Sequence, residues 1–485
     1  MFGAAVALPA VFGTVILFPG GKGVIIVFRY HFTCWLLSHP GLLKVLFAVL
    51  RRFRPIAIFG KTVIVTKAAD VREVLQRFDD FYLNEAVAPG MPWGPFLFNV
   101  DWHTQHDTER GALERARCPA DDLAIIRQKT IEVCEQQIAL AQNNPAGRRE
   151  IDIVTQLCEP VMVNVLAAHL GIKPVNRNEF ETAEILRSIA SAIMVVPPEC
   201  TPKWQEWRAN TDKLTQHLQG LIGDAAAKPT VAIPCHAAPV CTGDFLTRLV
   251  AMVGSQPWLD QDWIRRYLTG LAAAGDATIV RASAHVLDQL FRHPDGFKRA
   301  IALVRRIDEA EARLQQQHID DANKSKLEAI AIELAELRRR LQLIIYEALR
   351  FRPMLPLLVR TIPRDTIIAK DTARARLAPA GGTLLVGLLG AMFDPEVFEH
   401  PSKFCSSRPL DDYVHFGFGP RKCFGKYLAD TVILEVMCAL LRLPDLKRAG
   451  GANGRILYDG PAAAQLRVTF ANEAGGAQTE GRPVS

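Results

Sequence analysis

One ten-residue stretch near the C-terminus, Phe416-Gly-Phe-Gly-Pro-Arg-Lys-Cys-Phe-Gly425, constrains the chain more than any other segment. Gly417, Gly419 and Gly425 let the backbone take turn geometries that a side chain forbids. The Lys426–Leu441 run behind them carries apolar residues at helical spacing. Cys423 therefore stands close to a helix N-terminus, where the partial positive charge, the free backbone N–H groups and the neighbouring Arg421 and Lys422 favour an ionised sulfur. A thiolate presented in this way suits a metal. Taken alone, the same loop also reads as a turn around a buried structural cysteine.

Phe416, Gly419, Arg421, Cys423 and Gly425 meet every fixed position of Phe-x-x-Gly-x-Arg-x-Cys-x-Gly, so the loop resembles the signature of the cytochrome P450 haem-thiolate superfamily. The resemblance implies a mainly α fold with small β-sheets, a long central helix and a cysteine-ligand loop, with haem b as cofactor and Cys423 as the axial ligand of its iron. Upstream, Glu347 and Arg350 lie i, i+3 within the apolar run Leu341–Phe351, which makes them neighbours on one helix face. As a surface pair they would stabilise little. The resemblance adds Arg408 as the third member of a structural Glu–Arg–Arg cluster that pins the segment leading into the cysteine loop. It also assigns Arg360 to one haem propionate and the pair His106 and Arg110, spaced i, i+4, to the other. Arg421 can join them through its planar fork. Each of these residues alone reads as a surface charge. Their preserved order and spacing from 106 to 425 is what gives them weight.

The run Tyr267–His293 reads as one helix of about 40 Å, with Ala272-Ala-Ala-Gly-Asp-Ala-Thr278 at its middle. Three alanines and a glycine leave room against the helix, and a mid-helix Thr can bond back to the carbonyl four residues earlier and open a bulge. The family pattern Ala/Gly-Gly-x-acid-Thr fits in two registers. In one, Thr278 is the threonine and Ala277 replaces the acid; in the other, Asp276 is the acid and Ala277 replaces the threonine. The sixteen residues from Thr278 to Pro294 favour the first. Thr278 then guides protons to bound dioxygen. Asp276 either helps through water or is a solvated residue on the far face. The missing acid also resembles the family's nitric oxide reductases and its members that rearrange hydroperoxides without external electrons.

Composition bounds the alternatives. A hydrophobic share of 49% against 22% charged supports a sizeable core in 485 residues. The balance of 57 basic against 51 acidic residues, +6 overall, is too mild to argue for nucleic acid, and no basic-aromatic motif supports it. Ten cysteines without a Cys-x-x-Cys pair do not read as a disulfide framework, which points to a reduced, cytoplasmic setting. Cys235, His236 and Cys241 read as loop residues between Pro234 and Pro239, not as a metal site.

Residues 1–50 form an apolar segment interrupted by Pro9 and Pro19, and Arg51, Arg52, Arg54 and Pro55 follow it like a basic hinge. Two readings stand: a segment lying on a membrane, or a buried extension. Residues 51–473 read as one haem domain and 474–485 as a disordered tail. Ile56–Phe59 and Thr62–Thr66 alternate about Gly60-Lys61 as a hairpin, and Ala68–Phe78 reads as a helix. Ala86–Phe98 is a loop that in the family lies over the substrate; Ile125–Ala141, Glu179–Leu221 and the charge-rich Glu309–Arg340 are helical. Phe96, Leu97 and Phe98, with the alanines of the long helix and Met354–Val359, suggest an apolar cavity, and no cation or carboxylate is evidently placed to hold a charged head group.

The expected activity is a monooxygenase that inserts one atom of O2 into an apolar small molecule, a lipid, terpenoid or aromatic. No flavin or iron–sulfur segment is visible, so electrons come from a separate ferredoxin, flavodoxin or reductase. Partner-independent chemistry, as a fatty-acid hydroperoxide isomerase or nitric oxide reductase, is the alternative, and a non-catalytic haem sensor is a third reading.

Overall fold

The helical periodicities become long helices and the short β-branched runs become small sheets in the computed structural model, which describes residues 22–143, 149–199, 201–228, 241–316 and 324–471. The proposed tail, residues 1–21 and most of the segment 227–239 lie outside the described residues. Helices α1 (Lys22–Ser38) and α2 (Pro40–Phe53) meet at a bend of 87° at His39. Pro40 explains the break, because it cannot continue a helix but suits the first turn of the next. Leu43 and Phe47 of α2 are buried against Ala57, Ile64, Leu385, Leu389 and Phe393, while Leu42, Val45, Val49 and Phe53 are exposed.

The expected hairpin forms from β1 (Ile56–Phe59) and β2 (Thr62–Val65), antiparallel, with Gly60 at φ +59° in the turn. Two strands from far along the chain, β3 (Leu358–Ile362) and β4 (Gly382–Val386), extend this sheet in the order β1-β2-β4-β3. Arg360 pairs with Leu384 in that register and is buried. A strand residue facing a packed interior carries its charge inward, and this orientation is what brings Arg360 toward the cysteine loop.

The helical body contains α3 (His103–Ala116), α4 (Pro119–Gln142), α5 (Glu159–Leu170), α6 (Glu179–Met194), α7 (Pro202–Ala226), α8 (Gln261–Gly275), α9 (Arg281–Arg292), α10 (Pro294–Gln316), α11 (Lys324–Phe351) and α12 (Lys426–Leu441). Helix α4 starts six residues earlier than the sequence pattern suggests, because Pro119 opens the first turn and the Asp122 carboxylate accepts from the Cys118 N–H at 2.9 Å. Helix α8 also starts early, capped by Asp260, which accepts from the Trp263 N–H at 2.7 Å. A wide-turn segment, Asp276–Val280, joins α8 to α9 as one interrupted central rod. Helix α5 is an addition to the elements expected from the sequence. With the wide turn before it, Ile153–Leu170 is the described stretch long and apolar enough to cross a membrane by itself, but most of it is buried as a core helix between α4 and α6.

One expectation is overturned. Cys118 and Cys241 are joined as a disulfide across 123 residues of sequence, so the cysteines do include a structural bridge. Counting and spacing miss it because the pairing depends on α4 and the segment before Phe245–Ala251 meeting in space. Cys34, Cys134, Cys158 and Cys438 are buried free thiols.

Candidate haem-thiolate site

The cysteine loop is held by its own backbone. The Cys423 N–H donates to the Phe416 carbonyl at 2.9 Å, and the Lys422 N–H donates to the Gly419 carbonyl at 3.0 Å. Gly417 and Gly419 sit at φ +74° and +71°, and a Cβ on Gly419 would stand 2.7 Å from the Leu75 carbonyl oxygen. Phe416 packs on Tyr346 and His415, tying the loop to α11. The Cys423 side chain is exposed, yet the surface it exposes lies inside the fold: the protein around it is dense enough that burial pushes the thiol above its ordinary value. A Cβ on Gly425 would lie 3.9 Å from the sulfur and 4.0 Å from Leu271 Cδ1 of α8. The sulfur and the central rod therefore approach one another across the site.

The loop by itself does not favour an ionised sulfur, contrary to the expectation from the helix N-terminus and its flanking cations. Burial is the larger effect on the Cys423 thiol; the Gly425 N–H, Arg110 and Lys426 oppose it, and Asp430 adds to it. Arg421 instead bonds the Asp101 carboxylate at 2.8 Å and the Phe98 carbonyl at 3.2 Å. A helix N-terminus offsets only part of a desolvation cost. Bound iron would complete the ionisation, since a coordinating thiol loses its proton outright.

The sequence-selected cations gather beside the loop. Arg360 is buried, its Nη1 donates to the backbone carbonyl of Val359, and burial together with Arg421 pushes its pKa down to about 9. Arg421 is held down by the same burial, and its Nε has no hydrogen-bond partner. His106 is buried against Phe78, and Phe78 in turn lies 3.8 Å under the Arg421 guanidinium. Burial, Arg421 and Arg110 all lower the His106 pKa. Arg110 donates to the Lys422 carbonyl at 3.0 Å, fastening α3 to the cysteine loop. Among the described residues, the carboxylate paired with this couple of arginines is Asp101, with Asp79 acting on Arg421 from farther away. Buried charges of one sign call for a partner, and a dianionic group with two carboxylates is a chemical match. The donor set, one sulfur and this cation cluster, fits haem.

The central rod shows one open face. Of residues 267–290, Leu271, Ala274 and Thr278 alone are not buried. Their i, i+3, i+7 spacing places them on one side, the side from which Leu271 reaches toward the cysteine loop. The Thr278 hydroxyl donates to the Ala274 carbonyl at 2.7 Å, beside the wide turn. Asp276 lies elsewhere and is not solvated: only 1% exposed, it accepts from Arg281 at 2.6 Å. Arg281 also bonds Glu159 of α5 at 3.2 Å and the Ala463 carbonyl, and Glu159 takes Arg187 of α6 at 2.9 Å. Burial outweighs Arg281 and raises Asp276 to about 6. This four-residue network bolts the interruption of the rod to two neighbouring helices. Sequence reasoning missed it because its members are 122 residues apart and only the fold unites them; Arg281 in an otherwise apolar helix stripe was the available signal.

The roof is Pro95–Asn99. Phe96 rests on Gly270, where a Cβ would come within 2.2 Å of the ring. The Phe96 N–H donates to the Asn99 side chain at 3.0 Å, and Arg266 holds the Pro95 carbonyl at 2.6 Å. Glu109 of α3 was not foreseen: it is buried beneath this roof, and burial raises its pKa. The structural cluster assembles as well. Arg350 bonds Glu347 at 2.7 and 2.8 Å and the carbonyls of Met392, Pro401 and Lys403. Arg408 stands 3.6 Å from Glu347, which also accepts from the Cys405 N–H and the Tyr413 hydroxyl.

The family model for cytochrome P450 matches residues 187–450, more than half of the chain. The linoleate diol synthase of Gaeumannomyces graminis is 40% identical over 86 residues, covering 18% of this chain and 7% of that protein. Psi-producing oxygenase A of Emericella nidulans is 35% identical over 99 residues, 20% of this chain and 9% of that one. Cytochrome P450 4d2 of Drosophila melanogaster is 28% identical over 203 residues, 40% of this chain and 36% of that one. The chain thus spans well under half the length of these curated relatives. Among solved structures, CYP109E1 of Bacillus megaterium with corticosterone superposes at TM-score 0.66 with 19% identity, over 88% of this chain and 98% of that one. Open EryK of S. erythraea does so at 0.68 with 19% identity, over 91% and 98%. At these identities the agreement is one of fold.

Proposed function

Since the chain belongs to the cytochrome P450 family, we propose that it is a haem-thiolate monooxygenase that inserts one atom of O2 into an apolar small molecule with electrons from a separate protein. The observation that carries this reading is the convergence of the Cys423 sulfur, the open Leu271–Ala274–Thr278 face and the cation cluster around Arg360 and Arg421. Haem b, when bound, supplies dioxygen activation, and electron donation from the thiolate favours O–O cleavage. Cys423 would hold the iron, and Arg360, Arg421, His106 and Arg110 are the groups available to the haem carboxylates. Thr278 can offer its Oγ1 proton on the open face, released from its bond to Ala274. Phe96, Leu97, Leu271 and Ala274 supply apolar walls that exclude water, which suits a lipid, terpenoid or aromatic. The test is the absorption of the reduced, carbon monoxide-treated protein beside Cys423→Ala. A strongly red-shifted Soret band in the parent and its absence in the variant is the expected result. A parent without haem, or a spectrum indifferent to Cys423, would end the reading.

A second reading has its own support. Ala277 replaces the acid beside Thr278, Asp276 is engaged with Arg281, and among the relatives are a fungal linoleate diol synthase and psi-producing oxygenases. These favour partner-independent rearrangement of a fatty-acid hydroperoxide. Turnover of such a hydroperoxide by the purified protein, without any electron donor, would select it over oxygen insertion.

We further propose that α2 rests on a membrane surface. Its exposed Leu42, Val45, Val49 and Phe53 form one row, with exposed Arg52 and Arg54 at its end, the pattern of an interfacial helix drawn to anionic lipid. Cosedimentation with anionic vesicles that survives Val45→Asp together with Val49→Asp would count against it.

A further inference from the structure

A continuous file of aromatic rings, its outer three oxidisable, runs outward from the cysteine loop, and neither oxygen insertion nor haem binding uses it. Phe424, which follows Cys423, meets the Tyr267 ring at 6.3 Å between centroids. Tyr267 is stacked on Trp263, one turn earlier in α8, at 5.5 Å and an interplanar angle of 3°. Trp263 meets Trp258 edge-on at 5.0 Å. Tyr267 and Trp263 are each 2% exposed, whereas Trp258 is half-buried. The file therefore has a buried inner end and an outer end that reaches solvent.

The polar atoms decide where an electron deficit would settle. The Tyr267 hydroxyl has no hydrogen-bond partner, so an oxidised phenol there would have nowhere to send its proton. Trp263 differs. Its indole N–H closes no hydrogen bond, and neither does Glu109 Oε2, yet the two groups face each other across the α3–α8 contact. A buried carboxyl with a free oxygen beside an indole N–H is a ready proton acceptor.

We propose that Tyr267, Trp263 and Trp258 form an electron relay that refills the haem site when hydrogen peroxide has oxidised it with no substrate in place. Peroxide is reduced to water and the site loses two electrons. One electron then returns from Trp263 through the stacked Tyr267. The indole N–H bond breaks, its proton passes to the Glu109 carboxylate, and a neutral indolyl radical remains on Trp263. An external one-electron, one-proton donor of the ascorbate class then passes its electron through Trp258 to Trp263 while the proton returns from Glu109 to the indole nitrogen, freeing the carboxylate for a second passage. Over both passages hydrogen peroxide, two electrons and the two protons the donor releases give two waters. The relay protects the protein from its own oxidant.

The test uses haem-loaded protein whose carbon monoxide spectrum already shows thiolate ligation, so a failure here is distinct from a failure of the haem assignment. Freeze-quenched electron paramagnetic resonance after peroxide addition, at pH 8 and without substrate, should show a neutral tryptophanyl radical that ascorbate removes. Trp263→Phe should lose that signal and bleach its haem several-fold faster. Trp258→Phe should keep the radical but slow its removal by ascorbate several-fold, and Glu109→Gln should shift the radical toward the protonated form. A signal unchanged in Trp263→Phe overturns the relay, as do equal bleaching rates in the parent and both tryptophan variants. Should Trp263→Phe fail to fold, Trp258→Phe decides: ascorbate removal at the parental rate overturns it.

Discussion

Asp276 shows how one buried carboxyl writes a pH dependence into stability. Its folded pKa of about 6 lies above the ordinary aspartate value because burial outweighs the Arg281 contact. Between the two values the folded state binds the proton that the unfolded state has released. The contribution is therefore most favourable below about pH 4 and is lost as pH rises through about 6, by up to roughly 3 kcal/mol shared among the network. Urea midpoints at pH 4.5 and pH 7 should show this loss in the parent and not in Asp276→Asn; parallel pH profiles would remove Asp276 as the source. Thr278 makes a different kind of prediction. Its hydroxyl can be deleted without burying a charge or emptying a core, so Thr278→Ala should fold like the parent. Under the oxygen-insertion reading it should spend reductant and release peroxide with little product, measured as product per electron consumed. Unchanged coupling would refute its role in proton delivery.

At the scale of elements, the roof and the central rod fit through a missing side chain. Gly270 has no Cβ, and the Phe96 ring occupies the space one would fill, so that a Cβ would sit 2.2, 2.5 and 2.9 Å from three ring atoms. Phe96 can move only by leaving a loop fixed by Arg266 on the Pro95 carbonyl and by Asn99 on its own N–H. Overpacking of this kind costs about 1–3 kcal/mol. Gly270→Ala should lower stability by about that amount, and it should weaken the spectral response to apolar ligands as the ring is driven toward the open face. In a Phe96→Ala background the same glycine substitution should cost little, giving the strong non-additivity expected of touching residues. Additive losses in the urea midpoints would show that the ring and the glycine do not share the space. The Ala-rich stretch was legible as room against a helix. That Phe96 in particular takes the room at Gly270 was not, because the roof loop has no periodicity from which to place its side chains.

At the scale of the whole molecule, what was legible follows a physical divide. Short-range pattern located the hairpin about Gly60, the central helix and the glycine loop, since each is set by backbone freedom or by a repeat within a few residues. The Glu347–Arg350 pair was readable for the same reason, as neighbours on one helix face. The Arg187–Glu159–Arg281–Asp276 network and the Cys118–Cys241 bridge were not, because each joins residues more than a hundred positions apart and no local signal records the meeting. The bridge tests that divide. It ties the start of α4 to the segment before Phe245–Ala251 at a place already fastened by Asp122, which bonds Arg248 at 2.7 Å and lies 3.5 Å from His169. Breaking it should leave the folded geometry, and hence the carbon monoxide spectrum, unchanged. Its effect falls on the unfolded chain, where a loop of this length is worth up to about 4–5 kcal/mol in chain entropy and typically about 2–4 kcal/mol in practice. Reductant should therefore lower the urea midpoint of the parent and leave Cys118→Ser with Cys241→Ser unmoved, and a non-reduced digest should yield the linked Cys118 and Cys241 peptides. A parent equally stable with and without reductant, or a digest without that link, would return both residues to the free thiols that the composition suggested.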